Sequence, residues 1–174
     1  TLAVHAAAPL STEMPVFHNS SGVKHRFVYA VNTGREVKPG GAQATSLPWT
    51  GLVKMDLENG ITERWWLPEG CFLGEAVFCP DPRRNNLKED GGFLMYMSFD
   101  SNKSQSSLLI LDAEYLTNGP VCKITMKTQI PFGFHTSWHS QYFGPPVSFT
   151  DDNTASGVKI LSVDNSTQSP RSKL

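Results

Sequence analysis

The chain has 174 residues, with 15 Lys and Arg against 16 Asp and Glu, for a formal net charge of −1. Such balance gives no electrostatic footprint for nucleic acid, which favours a clear basic excess. Leu, Ile, Val and Phe together make about 24% of the residues, above the roughly 20% below which chains tend to stay disordered, and no stretch approaches the roughly 18 apolar residues of a membrane span.

The sequence starts at Thr1 without Met, and its first ten residues lack the charged region and continuous apolar stretch of a signal peptide. The chain is therefore expected to be a piece of a longer protein. Cys71, Cys79 and Cys122 are odd in number and contain no C-x-x-C. They argue against a disulfide framework and a Cys-type zinc site, and read as small buried residues in a reducing compartment.

Along the chain, short apolar runs alternate with turn chemistry. Residues 26–31 (RFVYAV) carry the aromatic and β-branched residues that strands prefer, and the Gly- and Pro-rich stretch 32–48 reads as a long loop. Residues 51–56 (GLVKMD) and 61–67 (ITERWWL) flank an Asn59-Gly60 pair, a hairpin signal because both residues tolerate positive φ. Four more strands are predicted at 75–80, 93–99, 108–112 and 121–127. In the last, Cys122, Ile124 and Met126 alternate with Lys123, Thr125 and Lys127, so one face is wet. Residues 108–111 are apolar at every position, as expected for a strand covered on both faces. No amphipathic helix of useful length emerges. The expectation is an all-β fold, with residues 75–127 forming an antiparallel four-stranded meander that suits a propeller blade or a sandwich. Residues 150–174 are Ser-, Thr-, Asn- and Asp-rich with one apolar stretch at 158–163, and read as a polar, weakly ordered tail.

Chemistry-bearing motifs are few. There is no Gly-rich phosphate loop and no G-x-S-x-G. His135 and His139 are four apart, but no Glu follows His135, and Pro131 and Gly133 oppose a helix there. On extended backbone the two are roughly 13 Å apart and cannot share one ion. His5, His18 and His25 read as ordinary structural histidines. His135 differs, since Pro131-Phe132-Gly133-Phe134 sets its imidazole among aromatics on irregular backbone.

Taken together and in order, GEAVFCPDP (74–82), a turn with Asp90-Gly91-Gly92, FLMYMSFD (93–100), SLLILDAEYL (107–116) and IPFGFHTSW (130–138) resemble the C-terminal end of the carotenoid cleavage oxygenases. Upstream, Glu13-Met14-Pro15, RFVYA (26–30) and GLVKMD (51–56) resemble further pieces of that family, so the likeness covers roughly residues 11–138. It implies C-terminal blades of a seven-bladed β-propeller, over residues 1–149, incomplete in this chain. It also implies a non-haem Fe2+ on the propeller axis held by four histidines, of which His135 matches the last. The other three lie upstream in family members.

Further site residues follow from the same resemblance. Glu13 is expected to orient the His135 ring from within hydrogen-bonding reach, and Glu75 is a second candidate for that role. Phe132, Phe134 and Trp138 either line the site or are core aromatics. The implied reaction cuts a carbon–carbon double bond of a hydrophobic polyene with O2, giving carbonyl products. Peripheral membrane contact, if any, would run through parts outside this chain, and nucleic acid is not an expected partner. Three departures stand out: Thr136 replaces the family's Gly after the histidine, Ala76 its Pro after the glutamate, and Cys79 a Val. Two alternatives remain open, a non-catalytic propeller-derived interaction module and a stilbene-cleaving or retinoid-isomerising relative on the same scaffold.

Overall fold

The computed structural model describes residues 12–18, 23–33, 48–84, 88–139, 141, 143–144 and 158–160. Most of the loop expected over 32–48, and His5, lie outside the described residues. Two antiparallel sheets follow one another in the chain. The first takes β1 (Thr12–Val16), β2 (Phe27–Asn32), β3 (Gly51–Asp56) and β4 (Ile61–Trp66) in sequence order. Residues 57–60 close the β3–β4 hairpin with Asp56 opposite Ile61, and Gly60 holds φ +67° as its place in the Asn-Gly pair requires. Asp56 organises this turn by accepting the amides of Glu58 and Asn59 at 3.0 and 3.2 Å. On β1 the register slips between Glu13 and Val16, and Met14 sits at φ +51°, so a bulge interrupts this edge.

The second sheet contains the expected meander. Strands β6 (Val77–Pro80), β7 (Gly92–Asp100), β8 (Gln105–Asp112) and β9 (Pro120–Met126) pair antiparallel in that order. A short strand that the sequence reading did not anticipate, β5 (Cys71–Leu73), also pairs with β7. It takes the Ser98–Asp100 end, whereas β6 takes the Gly92–Met95 end. The outer edge of this sheet is therefore one line broken at residues 74–76. Within the 150–174 segment, the described backbone is β10 (Val158–Ile160), which pairs with β9.

Burial along β7 has period two. Gly92, Leu94, Tyr96 and Ser98 are buried, while Phe93, Met95, Met97 and Phe99 are only half-buried. Strand β8 behaves similarly: Leu109 and Leu111 are buried, but Leu108 and Ile110 are half-buried. This corrects the expectation of a strand covered on both faces. Its all-apolar run packs one face into the core and leaves the other partly open. The core joins the two sheets through Tyr29, Val31, Leu52, Phe78, Leu94 and Leu111, each side chain contributing roughly 1.5–3 kcal/mol by burial. Tyr29 stacks on Phe78 with centroids 5.9 Å apart and donates its hydroxyl to the Ala113 carbonyl at 3.0 Å.

Charged groups also tie the sheets. Lys54 on β3 reaches Asp90, before β7, at 2.8 Å and donates to the Glu114 carbonyl at 3.0 Å. The neighbouring Glu89 accepts the amides of Arg26 and Phe27 at 2.9–3.0 Å. Among the described residues the one helical element is the short 3-10 turn Leu116–Asn118, and no helix is long and apolar enough to cross a membrane. The three cysteines are free and half-buried rather than fully buried, and burial pushes the Cys71 and Cys79 thiols up.

Candidate metal centre at the His135–Glu75 pair

After β9 the chain leaves the sheet and returns as an irregular strap over the broken edge. Its start is fixed where the Ile130 amide donates to Ser106 Oγ at 2.9 Å. It then passes Gly74 closely, because a Cβ added there would lie 3.6 Å from the Gly133 carbonyl oxygen. Beyond this crossing the strap meets Glu75, which sits in the β5–β6 break with its side chain only 13% exposed. The break matters locally. Residues 74–76 fall between the two paired strands, held to β7 by the Gly74 amide on the Met97 carbonyl at 2.9 Å, so a carboxylate in an otherwise apolar edge becomes available to a segment passing over it.

Glu75 Oε2 accepts the Thr136 amide at 2.6 Å and lies 3.5 Å from His135 Nδ1. A proton on Nδ1 would face this carboxylate and leave the Nε2 lone pair for a ligand. The His135 side chain is 69% exposed, so that nitrogen is not sealed into a core. Phe134 meets the ring edge-on with centroids 4.6 Å apart. Under the strap is a cavity of about 320 Å³ lined by Phe72, Glu75, Met97, Phe99, Phe132 and Thr136 among others. It is a largely apolar pocket with the Glu75 carboxylate in its wall.

The expected site residues are thus partly brought together. Phe132 and Phe134 stand at 6.0 and 6.5 Å from the Trp49 ring, and both are 55% exposed in this chain. Trp138 is also exposed, and of the three aromatics only Phe132 lines the cavity. Glu13 lies exposed on β1 of the first sheet, and the carboxylate against the His135 ring is Glu75. The physical reason is the route of the strap, which crosses the edge of the second sheet. His139 is contacted by Ser137 Oγ at 3.3 Å and by the Phe143 ring. Sequence reasoning had singled out neither Ser106 nor Trp49. It noted Thr136 only as a departure from the family, although Glu75 and Thr136 form the shortest contact of the site.

The residues present fit one corner of an iron site, a single imidazole with a half-buried carboxylate facing its Nδ1. Among the described residues no group of three or more His, Cys, Asp and Glu converges on one point.

The model of the family described as Retinal pigment epithelial membrane protein matches residues 3–140. The apocarotenoid-15,15'-oxygenase of Synechocystis is 33% identical over 130 residues, covering 72% of this chain and 24% of that protein. The chain belongs to the carotenoid cleavage oxygenase family. A carotenoid cleavage oxygenase of Mycobacterium tuberculosis is 32% identical over 117 residues, with 67% of this chain and 22% of the relative covered. Among solved structures, cobalt-substituted Synechocystis ACO matches with TM-score 0.61 and 29% identity over 74% of this chain and 25% of that one. An ACO/RPE65 chimera matches with TM-score 0.63 and 27% identity over 75% and 26%. The two sheets are accordingly propeller blades, and the chain spans about a quarter of the length of the curated relatives it matches.

Proposed function

We propose that this chain is the C-terminal portion of an Fe2+-dependent dioxygenase that cleaves a carbon–carbon double bond of a carotenoid or apocarotenoid. The observation that carries this reading is the His135–Glu75 pair beside an apolar cavity, in a chain of the carotenoid cleavage oxygenase family. His135 would be one of four histidine ligands, and divalent iron, when bound, supplies the redox chemistry that turns one alkene and one O2 into two carbonyls. Imidazole donors suit divalent iron.

This chain's own residues then have separable tasks. His135 presents Nε2 while Glu75 keeps the proton on Nδ1, which fixes the tautomer and raises ligand basicity. Glu13, exposed on β1, would serve another of the iron histidines in the same way. Phe132 and Phe134, held over Trp49, supply apolar surface for a polyene and keep water from its reacting bond. Trp138 would join them against the rest of the propeller.

The test is product analysis. This chain alone, without the upstream histidines, should be inactive, so the full-length protein that contains it is loaded with Fe2+ and incubated with a panel of carotenoids and apocarotenoids under air, and aldehydes are quantified for wild type and His135→Ala. The expected result is oxygen-dependent carbonyl formation in wild type and loss of at least about a hundredfold in the variant, as removal of a direct ligand should exceed the 10–100-fold of outer-shell changes. Full activity in His135→Ala would return this residue to an ordinary surface histidine. Iron-dependent cleavage confined to stilbenes, or isomerisation without cleavage, would replace the substrate class but keep the site.

A further inference from the structure

We propose that the β9 edge of the second sheet is a strand-accepting surface, and that its occupant is the chain's own C-terminal segment, Val158–Ile160. Strand β9 ends the meander. One side of it pairs with β8, and the other would present a row of unsatisfied N–H and C=O groups. Strand β10 lies along that side, antiparallel to residues 124–126. It takes the regular end of the edge, because at the other end the β8–β9 register shifts beside Pro120, which has no N–H to offer. The segment lies past residue 140, beyond the residues matched to the family, so the cap comes from the tail and not from the shared blade.

The sequence specifies this register from both directions. Val158 stands opposite Met126, Lys159 opposite Thr125 and Ile160 opposite Ile124. Apolar residues thus meet the apolar positions of β9, and the lysine meets the polar position between them. A slip by one residue sets Lys159 opposite Ile124 or Met126 and exchanges the two faces. A slip by two sets it opposite Lys123 or Lys127, and like charges directly opposite destabilise a pair. Val and Ile are also β-branched, the type that strands prefer. Reach is no obstacle. The connection from Gly144 to Val158 can span roughly 45 Å when extended, against about 15 Å across four strands. The chain can therefore cross the β5–β6 edge as the strap and still close the opposite edge.

The experiment uses the full-length protein that contains this chain. Deleting residues 150–174 leaves Glu75, His135 and the strap in place. Amide hydrogen exchange over residues 121–127 should quicken by at least about tenfold, while β7, which lies inside the sheet, stays within about threefold of wild type. Proline supplies a backbone test. Successive residues of an antiparallel strand alternate in whether they exchange hydrogen bonds with the partner, so one of Lys159→Pro and Ile160→Pro removes a bonded N–H and the other does not. One variant should match the deletion, and the other should stay nearer wild type. A peptide of residues 154–165, added at about 1 mM to match the effective concentration of a tethered segment, should restore protection over 121–127 in the deletion protein.

Unchanged exchange over 121–127 in the deletion protein overturns the cap, since another part of the protein then closes this edge. Two proline variants that both behave as wild type overturn the pairing. Equal acceleration in β7 and β9 also counts against it, because the loss is then one of the whole sheet and not of an edge. A peptide that leaves the deletion protein unprotected overturns the strand-accepting role.

Discussion

Two histidine–carboxylate pairs in this molecule share a geometry and differ in burial. His25 Nδ1 lies 3.5 Å from Glu89, and His135 Nδ1 lies 3.5 Å from Glu75. In each pair the carboxylate also accepts the amide of the residue after the histidine, Arg26 in one and Thr136 in the other. Yet the His25 side chain is only 14% exposed, and its Nε2 is buried without a hydrogen-bond partner. Its ring packs on Phe17 with centroids 4.5 Å apart. His135 is mostly exposed beside an apolar cavity. A histidine next to a glutamate is thus not by itself a metal site. What separates the two is whether the far nitrogen has been enclosed or left accessible, and the surroundings of His25 make it part of the seam between the sheets.

The seam can be broken most severely at Lys54. Lys54 and Asp90 form an ion pair with side chains only 5% and 10% exposed. Lys54→Met leaves the carboxylate buried without its partner, and chemical denaturation should show a loss of about 3–5 kcal/mol. Iron content per folded molecule should not change, because the strap over Glu75 lies elsewhere.

The two carboxylates offer the next contrast. Glu89→Ala strips acceptors from the Arg26 and Phe27 amides and should cost about 2 kcal/mol of global stability. Glu75→Ala should cost less than about 1 kcal/mol globally, since it frees a surface strap rather than a seam, while its effect appears in metal affinity. Equal stability losses in the two variants would erase the distinction.

The smallest effect is a pH dependence on the buried-pair side. The Arg26 guanidinium, bonded to Asp56 through two nitrogens at 3.0 and 2.6 Å, holds the Asp56 carboxyl well below the usual carboxylate range. A lowered folded value means the contribution is present above the unfolded value and is lost as pH falls through the folded one. The urea midpoint difference between wild type and Asp56→Asn should therefore be largest near neutrality. It should shrink as pH is lowered from about 6 to about 2.

Much of this fold was legible in the sequence, for identifiable reasons. Residues 51–56 gave β3 at its observed bounds because Gly and the Asn59-Gly60 turn delimit the apolar run. Strands β6 to β9 were legible from breakers at regular spacing. Strand β5 was not, because Cys71-Phe72-Leu73 is too short to show a period and is defined by its partner Ser98–Asp100. Lys54 carried a readable signal, a cation in a run whose neighbours are buried, but its partner Asp90 is 36 residues away. The site shows the same limit. His135 stood out through its local aromatics and breakers, whereas the choice between Glu13 and Glu75 depends on which sheet edge the strap crosses. The one local hint was a charged residue after Gly74, interrupting the apolar stretch from Cys71 to Pro80.

The most direct test of the central claim sets the two histidines side by side. His25→Ala and His135→Ala are made in the full-length protein and purified from iron-supplemented expression, and iron per folded molecule is measured by elemental analysis. The account predicts wild-type iron in His25→Ala, despite lower stability, and a near-complete loss in His135→Ala with unfolding unchanged. Full iron in His135→Ala, or equal losses in both variants, would contradict it.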